Sequence, residues 1–191
     1  RKSEAILDAA TDLFGEKGTA ATMDEIARRA GVSKQTLYNR FGSKLDIARA
    51  LAARRSDAVT APLRSEGDPE TVLTAYAYAL LEKIVHGEAG ASLRGLAMVS
   101  PKAPDIAGAI YDSGPGESLR RLSAWLADQN RRGLLRVPDP DLAAEMFSGM
   151  ALGHSHLRTL LGVKHPDGDR IPERARRRRR ASPLYRSCHP C

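Results

Sequence analysis

Apolar residues along this chain return every three to four positions, the period of a helix, and no run alternates with the period of a strand. Ile6, Leu7, Ala10, Leu13 and Phe14 mark a first amphipathic helix over about residues 3–17, with Gly18 as its stop signal. Thr22 followed by Glu25 has the spacing of a capping box and predicts the start of a second helix. Asp24 and Glu25 place negative charge in its first turn, where the helix dipole favours it. Ile26, Ala27 and Ala30 form its buried face, and Gly31 supplies the positive φ that ends it. Val32 packs under the turn, Ser33 caps a third helix, and Leu37 and Phe41, four apart, anchor that helix from below. Ser43 caps a longer fourth helix that leads out of the bundle.

The polar, Gly- and Pro-containing stretch from Ala61-Pro62 to Pro69 reads as a loop. Asp68 caps the next helix with Pro69 at its first position, and Val72, Leu73, Tyr76, Leu80, Leu81 and Ile84 give residues 69–87 an apolar face. Ser92 to Ser100 predicts a short apolar helix ended by Pro101, and residues 104–113 predict another. Pro115 opens a helix with Leu119, Leu122, Trp125 and Leu126, stopped at Gly133. Asp139 caps a last strong helix, expected to run unbroken through Leu142, Met146, Met150, Leu157 and Leu161 to Gly162.

The fold class expected from this pattern is all-α: a three-helix, homeodomain-like helix-turn-helix bundle at the amino end, then a larger helical domain. The divisions are residues 1–50, 51–163 and a basic, irregular tail at 164–191. At 191 residues and 42% hydrophobic content the chain is long enough for both cores. No stretch of 18 apolar residues is present, so no transmembrane helix is expected. The opening RKSEAILDAA lacks the apolar centre of a signal peptide, which predicts a cytoplasmic location, and it lacks an initial Met, which suggests a trimmed amino end.

Charge is divided unevenly. The net +7 splits into +4 over residues 1–64, −2 over 65–164 and +5 over 165–191. A basic amino-terminal unit beside an acidic remainder suits a contact with DNA confined to one end. The third helix carries the side chains for it. Gln35 and Asn39 have the chemistry to bind adenine through two hydrogen bonds, and Lys34 or Arg40 to bind guanine. Thr and Tyr hydroxyls and Lys44 suit phosphate oxygens, which set register without reading bases. A small helical hairpin with a solvated polar face is the competing explanation. The cap, turn glycine, apolar positions and donors together favour DNA.

The order of motifs from about Glu4 to Leu51 resembles the DNA-binding domain of tetracycline-repressor-like (TetR) transcriptional regulators. It holds an F-x-x-x-G from Phe14 to Gly18, T-x-x-x-I-A from Thr22 to Ala27, A-G-V-S from Ala30 to Ser33, T-L-Y from Thr36 to Tyr38 and F-x-S-K from Phe41 to Lys44. Residues from about 70 to 163 are similar to the carboxy-terminal domain of the AefR-like subgroup, through signals such as P-D-I-A at 104–107 and H-L-R-x-L-L-G at 156–162. The resemblance implies a homodimeric repressor that binds a palindromic operator and is released by a small apolar ligand. It carries phosphate contacts to Thr22, Thr36, Tyr38 and Lys44, beside the cap Ser33, and base reading to Lys34, Gln35 and Asn39. Gln35 stands where a Gly is common, and Asn39 and Arg40 stand where an aromatic or His is frequent, so the operator sequence does not transfer.

Candidate residues for the ligand pocket are Tyr76, Leu80, Ile84, Leu93, Met98, Ile110, Trp125, Met146 and Met150, with His154 as a polar group. An ordinary packed core would use the same residue types. His154 and His156 sit about 200° apart on a helix and do not share a face, so one is expected at a pocket or interface and the other in solvent. Cys188, His189 and Cys191 offer three ligands at most and no second cluster, so no metal site and no cofactor are expected. Ala143, Ala144, Gly149, Ala151 and Gly153 let the last helix pack closely on two sides, and the resemblance implies a four-helix dimer interface there. Its partner helix is replaced here by a tail with a run of Arg from Arg176 to Arg180, which repels itself and suits solvent. The abrupt change in composition there resembles a frame-shifted end.

No phosphate-binding loop, nucleophile elbow or H-E-x-x-H motif is present, so an enzyme is not expected. The expected function is a DNA-binding transcriptional regulator with an operator duplex, a second copy of itself and a small effector as partners. An architectural DNA-binding protein without a ligand, and a helical small-molecule-binding enzyme, are the alternatives.

Overall fold

The computed structural model describes residues 1–85, 101 and 103–164, and these residues form helices and turns without strands. Helix α1 (Lys2–Lys17), α2 (Met23–Arg29) and α3 (Lys34–Arg40) make the amino-terminal bundle. Helix α4 (Lys44–Thr60) leaves it, and α5 (Pro69–Val85), α6 (Pro104–Ser113), α7 (Pro115–Arg131), α8 (Pro140–Leu152) and α9 (His154–Leu161) follow.

Local chemistry explains most boundaries. Helix α1 stops at Gly18, and a short 3-10 turn, Gly18–Ala20, delivers the chain to Thr22. There the capping box forms: the Glu25 backbone N–H donates to the Thr22 hydroxyl at 3.3 Å, and the Thr22 N–H donates to the Glu25 carboxylate at 3.0 Å. Two orphan donors at a helix start are thereby satisfied by one pair of side chains. Gly31 holds φ at +64°, a value that would strain any residue with a Cβ. Ser33, Ser43 and Asp139 cap α3, α4 and α8 as their spacing predicts, and Asp68 accepts from the Thr71 N–H at 2.9 Å.

Two cores result. The first gathers Ile6, Leu7, Ala10 and Leu13 of α1, Ala21, Ile26 and Ala27, Leu37 of α3 and Ile47 of α4, with Phe14, Ala30, Val32 and Phe41 at its margin. The second gathers Val59, Tyr76, Leu122, Leu126 and Ala144, with Leu73, Leu80, Trp125 and Phe147 packed against it. Helix α4 supplies Ile47 to one and Val59 to the other, so a single rod joins them. Arg54 ties its first half to α1, donating to Asp8 at 2.6 Å and to the Thr11 hydroxyl at 3.1 Å. Arg121 of α7 ties its second half, donating to Asp57 at 2.5 Å and to the Thr60 hydroxyl at 3.1 Å. Between them the buried Ser118 hydroxyl donates to Ser56 at 2.9 Å.

The expected unbroken last helix is not observed. Gly153 takes φ +47°, closes α8 and opens α9 in a new direction. One glycine within an otherwise apolar helical pattern masked the break, because such a residue is compatible with either outcome until its φ is known. The short helix expected from Ser92 to Ser100, with Leu93 and Met98, lies outside the described residues. So do the Arg run and the Cys188, His189 and Cys191 cluster. Among the described residues, no helix is long and apolar enough to cross a membrane, and no group of His, Cys, Asp or Glu is placed to hold a metal ion.

Candidate nucleic-acid interface

Helix α3 is held from one side only. Leu37 is 0% exposed and is its one fully buried side chain. Gln35, Tyr38, Asn39 and Arg40 are exposed around it, and Tyr38 is 49% exposed, high for a large ring. Burying one position per two turns fixes the helix's rotation and leaves the remaining arc for a partner. Such an arc, seven residues long and capped by Ser33, has the dimensions of a helix that enters a major groove.

The structure places each anticipated contact residue in this region but gives several of them partners. Thr22 is engaged in the capping box. The Ser33 hydroxyl caps α3, accepting from the Thr36 N–H at 3.1 Å and lying 2.9 Å from the Thr36 hydroxyl. Lys34, 66% exposed at its side chain, is ion-paired with Asp24 of α2. The Gln35 amide donates to the Asn39 side-chain oxygen at 2.9 Å, one helical turn away. Arg40 donates to the Ser3 hydroxyl at 3.4 Å.

Lys44 differs most from the sequence reading. Its ammonium donates to the Thr19 carbonyl at 2.5 Å and the Ala21 carbonyl at 3.1 Å. It therefore closes the exposed end of the α1–α2 connection and ties α4 to it. An ammonium has three donors, so one is left for a phosphate.

Removing the Asp24 charge tests how much Lys34 is restrained. Asp24→Asn should free that ammonium and strengthen binding to every duplex several-fold, with the salt slope steeper by about one. A salt titration of the variant that overlays the parent would show that the pair does not limit Lys34.

Surface ion pairs set the bundle's electrostatics. Arg29 of α2 forks onto Glu16 of α1 at 2.6 and 3.0 Å, and the Glu16 carboxyl is held below its ordinary value chiefly by that hydrogen bond. Glu25 is lowered further, to about 2, first by the Lys17 ammonium at 2.5 Å and then by the Thr22 backbone N–H and hydroxyl. The unfolded chain takes up this proton near 4.5 and the folded chain only near 2. The Glu25 contribution is thus fully present above pH 4.5 and lost as pH falls through about 2. Urea unfolding measured stepwise across that window should show a shallower acid loss in Glu25→Gln than in the parent. Identical acid limbs would exclude the capping box as the source.

Of the described ligand candidates, three share the second core and the others lie apart from it. Tyr76, Leu80 and Trp125 belong to the packed second core, and Ile110 is half-buried on α6. Met146 is 57% and Met150 73% exposed on the outer face of α8, and both His154 and His156 are exposed on α9. The side chain of Ile84, like Met98, lies outside the described residues. The reason for the difference is rotational. Ala144 and Ser148 take the inward face of α8, which turns Met146 and Met150 outward.

A groove of about 610 Å³ opens instead along α5, lined by Leu73, Ala77, Tyr78 and Leu81 with Leu135 and Phe147 opposite. Ala77 and Tyr78 were legible only as part of the helix's apolar spacing, since nothing local shows which side of α5 meets α8. Beside this groove, burial raises the Tyr76 phenol while the neighbouring Ser148 hydroxyl offsets part of the rise.

Comparison with known proteins agrees with this arrangement. Residues 6–51 match the model for bacterial regulatory proteins of the tetR family, and residues 71–179 match the carboxy-terminal domain of AefR-like transcriptional repressors. A stretch of 90 residues is 41% identical to the HTH-type transcriptional activator FasR of Mycolicibacterium smegmatis, covering 44% of this chain and 41% of FasR. The chain thus spans about two fifths of that relative's length in the match. A TetR-family regulator structure from Mesorhizobium loti superimposes with a TM-score of 0.73 at 26% identity, over 95% of this chain and 94% of the other. The flavonoid-responsive regulator FrrA does so with a TM-score of 0.66 at 30% identity, over 92% of each chain.

Proposed function

The chain belongs to the TetR family of transcriptional regulators, and from that premise we propose that this DNA-binding regulator is a homodimeric repressor released from a palindromic operator by a small apolar ligand. The observation that carries the DNA contact is the exposed arc of α3, held in place by the buried Leu37. Thr22, Ser33, Thr36, Tyr38 and Lys44 take the phosphate side, and Lys34, Gln35 and Asn39 the base side. Residues 1–50 form the DNA-binding unit, 51–163 the ligand and dimer unit, and 164–191 a basic tail. A bacterial protein with this task works where the chromosome is, in the cytoplasm.

Dimerisation is supported by Leu142, Met146 and Met150 of α8, which line one outward face at a spacing of four, and by Leu157 and Leu161 of α9. Large apolar residues this exposed and this regularly spaced suit a protein interface. The α5 groove supports an effector, since about 610 Å³ lies within the usual range for small-molecule sites. FrrA is named for its response to flavonoids, which supports a small, largely apolar effector here too. The repressor reading is supported by the matched carboxy-terminal domain, described as that of AefR-like transcriptional repressors.

Gel-shift titration of the full chain against palindromic duplexes, at several salt concentrations, tests the proposal. Tight binding with a steep salt dependence, reversed by an apolar compound, is the expected result. In a two-fold complex the two recognition helices should stand about 34–36 Å apart. No duplex bound even in dilute buffer would end the DNA reading, and binding that no small molecule reverses would leave an architectural role.

A further inference from the structure

We infer that Gln35 and Asn39 form one hydrogen-bonded reading unit, not two independent contacts, and that this unit selects adenine at the base facing Gln35. The inference rests on the DNA-binding reading above and specifies the chemistry of its target. Gln35 donates one amide N–H to Asn39 Oδ1 at 2.9 Å, and both side chains are exposed on the free arc of α3. The spacing of four residues keeps them on one face, side by side along the groove.

What remains unpaired after that bond decides the preference. Gln35 keeps one N–H and its carbonyl oxygen. That donor-and-acceptor edge matches adenine, which presents N7 as acceptor and N6–H as donor in the major groove. Guanine presents two acceptors, N7 and O6, so the Gln35 oxygen would face a lone pair without a proton between them. Asn39 keeps both N–H donors and one lone pair on its oxygen, the other being taken by Gln35. It acts on Gln35 by fixing the amide's rotation, which makes it a positioning residue for the base contact.

The other groups on α3 with guanine-binding chemistry already have partners within the chain. Lys34 is paired with Asp24, and Arg40 with the Ser3 hydroxyl. The pair of amides is therefore the part of the helix presented with its base-reading edge open. Leu37, at 0% exposure, prevents the helix from rotating to present a different arc.

Selection of bound sequences from a random duplex library, using the full chain and five variants, tests this. The parent should enrich a half-site with one adenine column, favoured roughly 5- to 150-fold over guanine as expected for a bidentate contact. Gln35→Ala and Asn39→Ala should each flatten that same column, and the double variant should be no flatter than either. Asn39→Asp keeps the accepting oxygen, so its adenine column should survive while total affinity drops. Gln35→Glu loses its donors and should move the column towards cytosine. Both positions are exposed, so the thermal melts of all variants should overlay the parent.

Guanine in the Gln35 column would overturn the inference. So would an adenine column untouched by Asn39→Ala, or one lost equally in Asn39→Asp. These outcomes leave the DNA-binding reading in place. A parent that enriches no motif would instead defeat that reading, and this inference with it.

Discussion

On the proposed dimer, Met146→Glu combined with Met150→Glu is expected to leave single chains and to weaken operator binding by about 10³-fold or more. The two methionines are 57% and 73% exposed in the single chain, and Leu142, at 53%, continues their row one turn earlier. A carboxylate at either position meets water while the chain is alone, so the fold tolerates it. In a two-fold complex the same carboxylates would lie close to their own copies and to apolar side chains. An uncompensated buried charge costs about 3–5 kcal/mol, and symmetry applies it twice. Without the dimer a chain has one recognition helix and one half-site, and its affinity approaches that for unrelated DNA. Gel filtration should report the loss of mass and gel shift the loss of binding. A variant that stays dimeric would move the interface elsewhere. One that becomes monomeric yet binds as before would show that a single half-site suffices.

Leu37→Ala should abolish sequence-selective binding although the side chain has no exposure through which to touch DNA. Leu37 sits among Ile6, Leu13, Ile26, Ala27 and Ile47 in the first core, and truncating a buried leucine costs about 2–5 kcal/mol. For a chain of this size that corresponds to a fall in melting temperature of roughly 5–20 °C. It also removes the group that sets how far α3 is rotated. Tyr38→Phe is the control. Its hydroxyl lies on the exposed arc, so its loss should weaken all duplexes alike and leave the melt unchanged. An unaltered melt for Leu37→Ala, or base selection that survives it, would mean that the helix is positioned by its caps alone.

The two halves of the molecule were unequally legible. In the amino-terminal bundle the signals are close together. Thr22 and Glu25 are three residues apart, Gly31 lies at the turn itself, and Ser33 caps the helix that immediately follows. In the second core the decisive contacts join distant residues. Arg121 reaches Asp57, Ser118 reaches Ser56, and Tyr76 tilts against Phe147 with ring centres 6.2 Å apart. Spacing of apolar residues located those helices but did not orient them, because each has apolar residues on more than one side. Met146 and Met150 show the consequence: the pattern placed them on a helix, and packing of Ala144 and Ser148 inward turned them out.

Read by itself, the order of amino acids determined the all-helical class, the capping box, the turn at Gly31 and the inward set Ile26, Ala27 and Leu37. Each depends on hydrogen bonds or side-chain spacing within about one turn of the backbone, where the chain's own geometry leaves few choices. Tertiary structure alone decided that Lys34 is held by Asp24, that Lys44 closes the Thr19 and Ala21 carbonyls, that Gly153 bends the last helix, and which wall of α5 lines the groove. These depend on groups brought together across the fold, and their partners are chosen by how whole helices rotate and cross to bury the two cores.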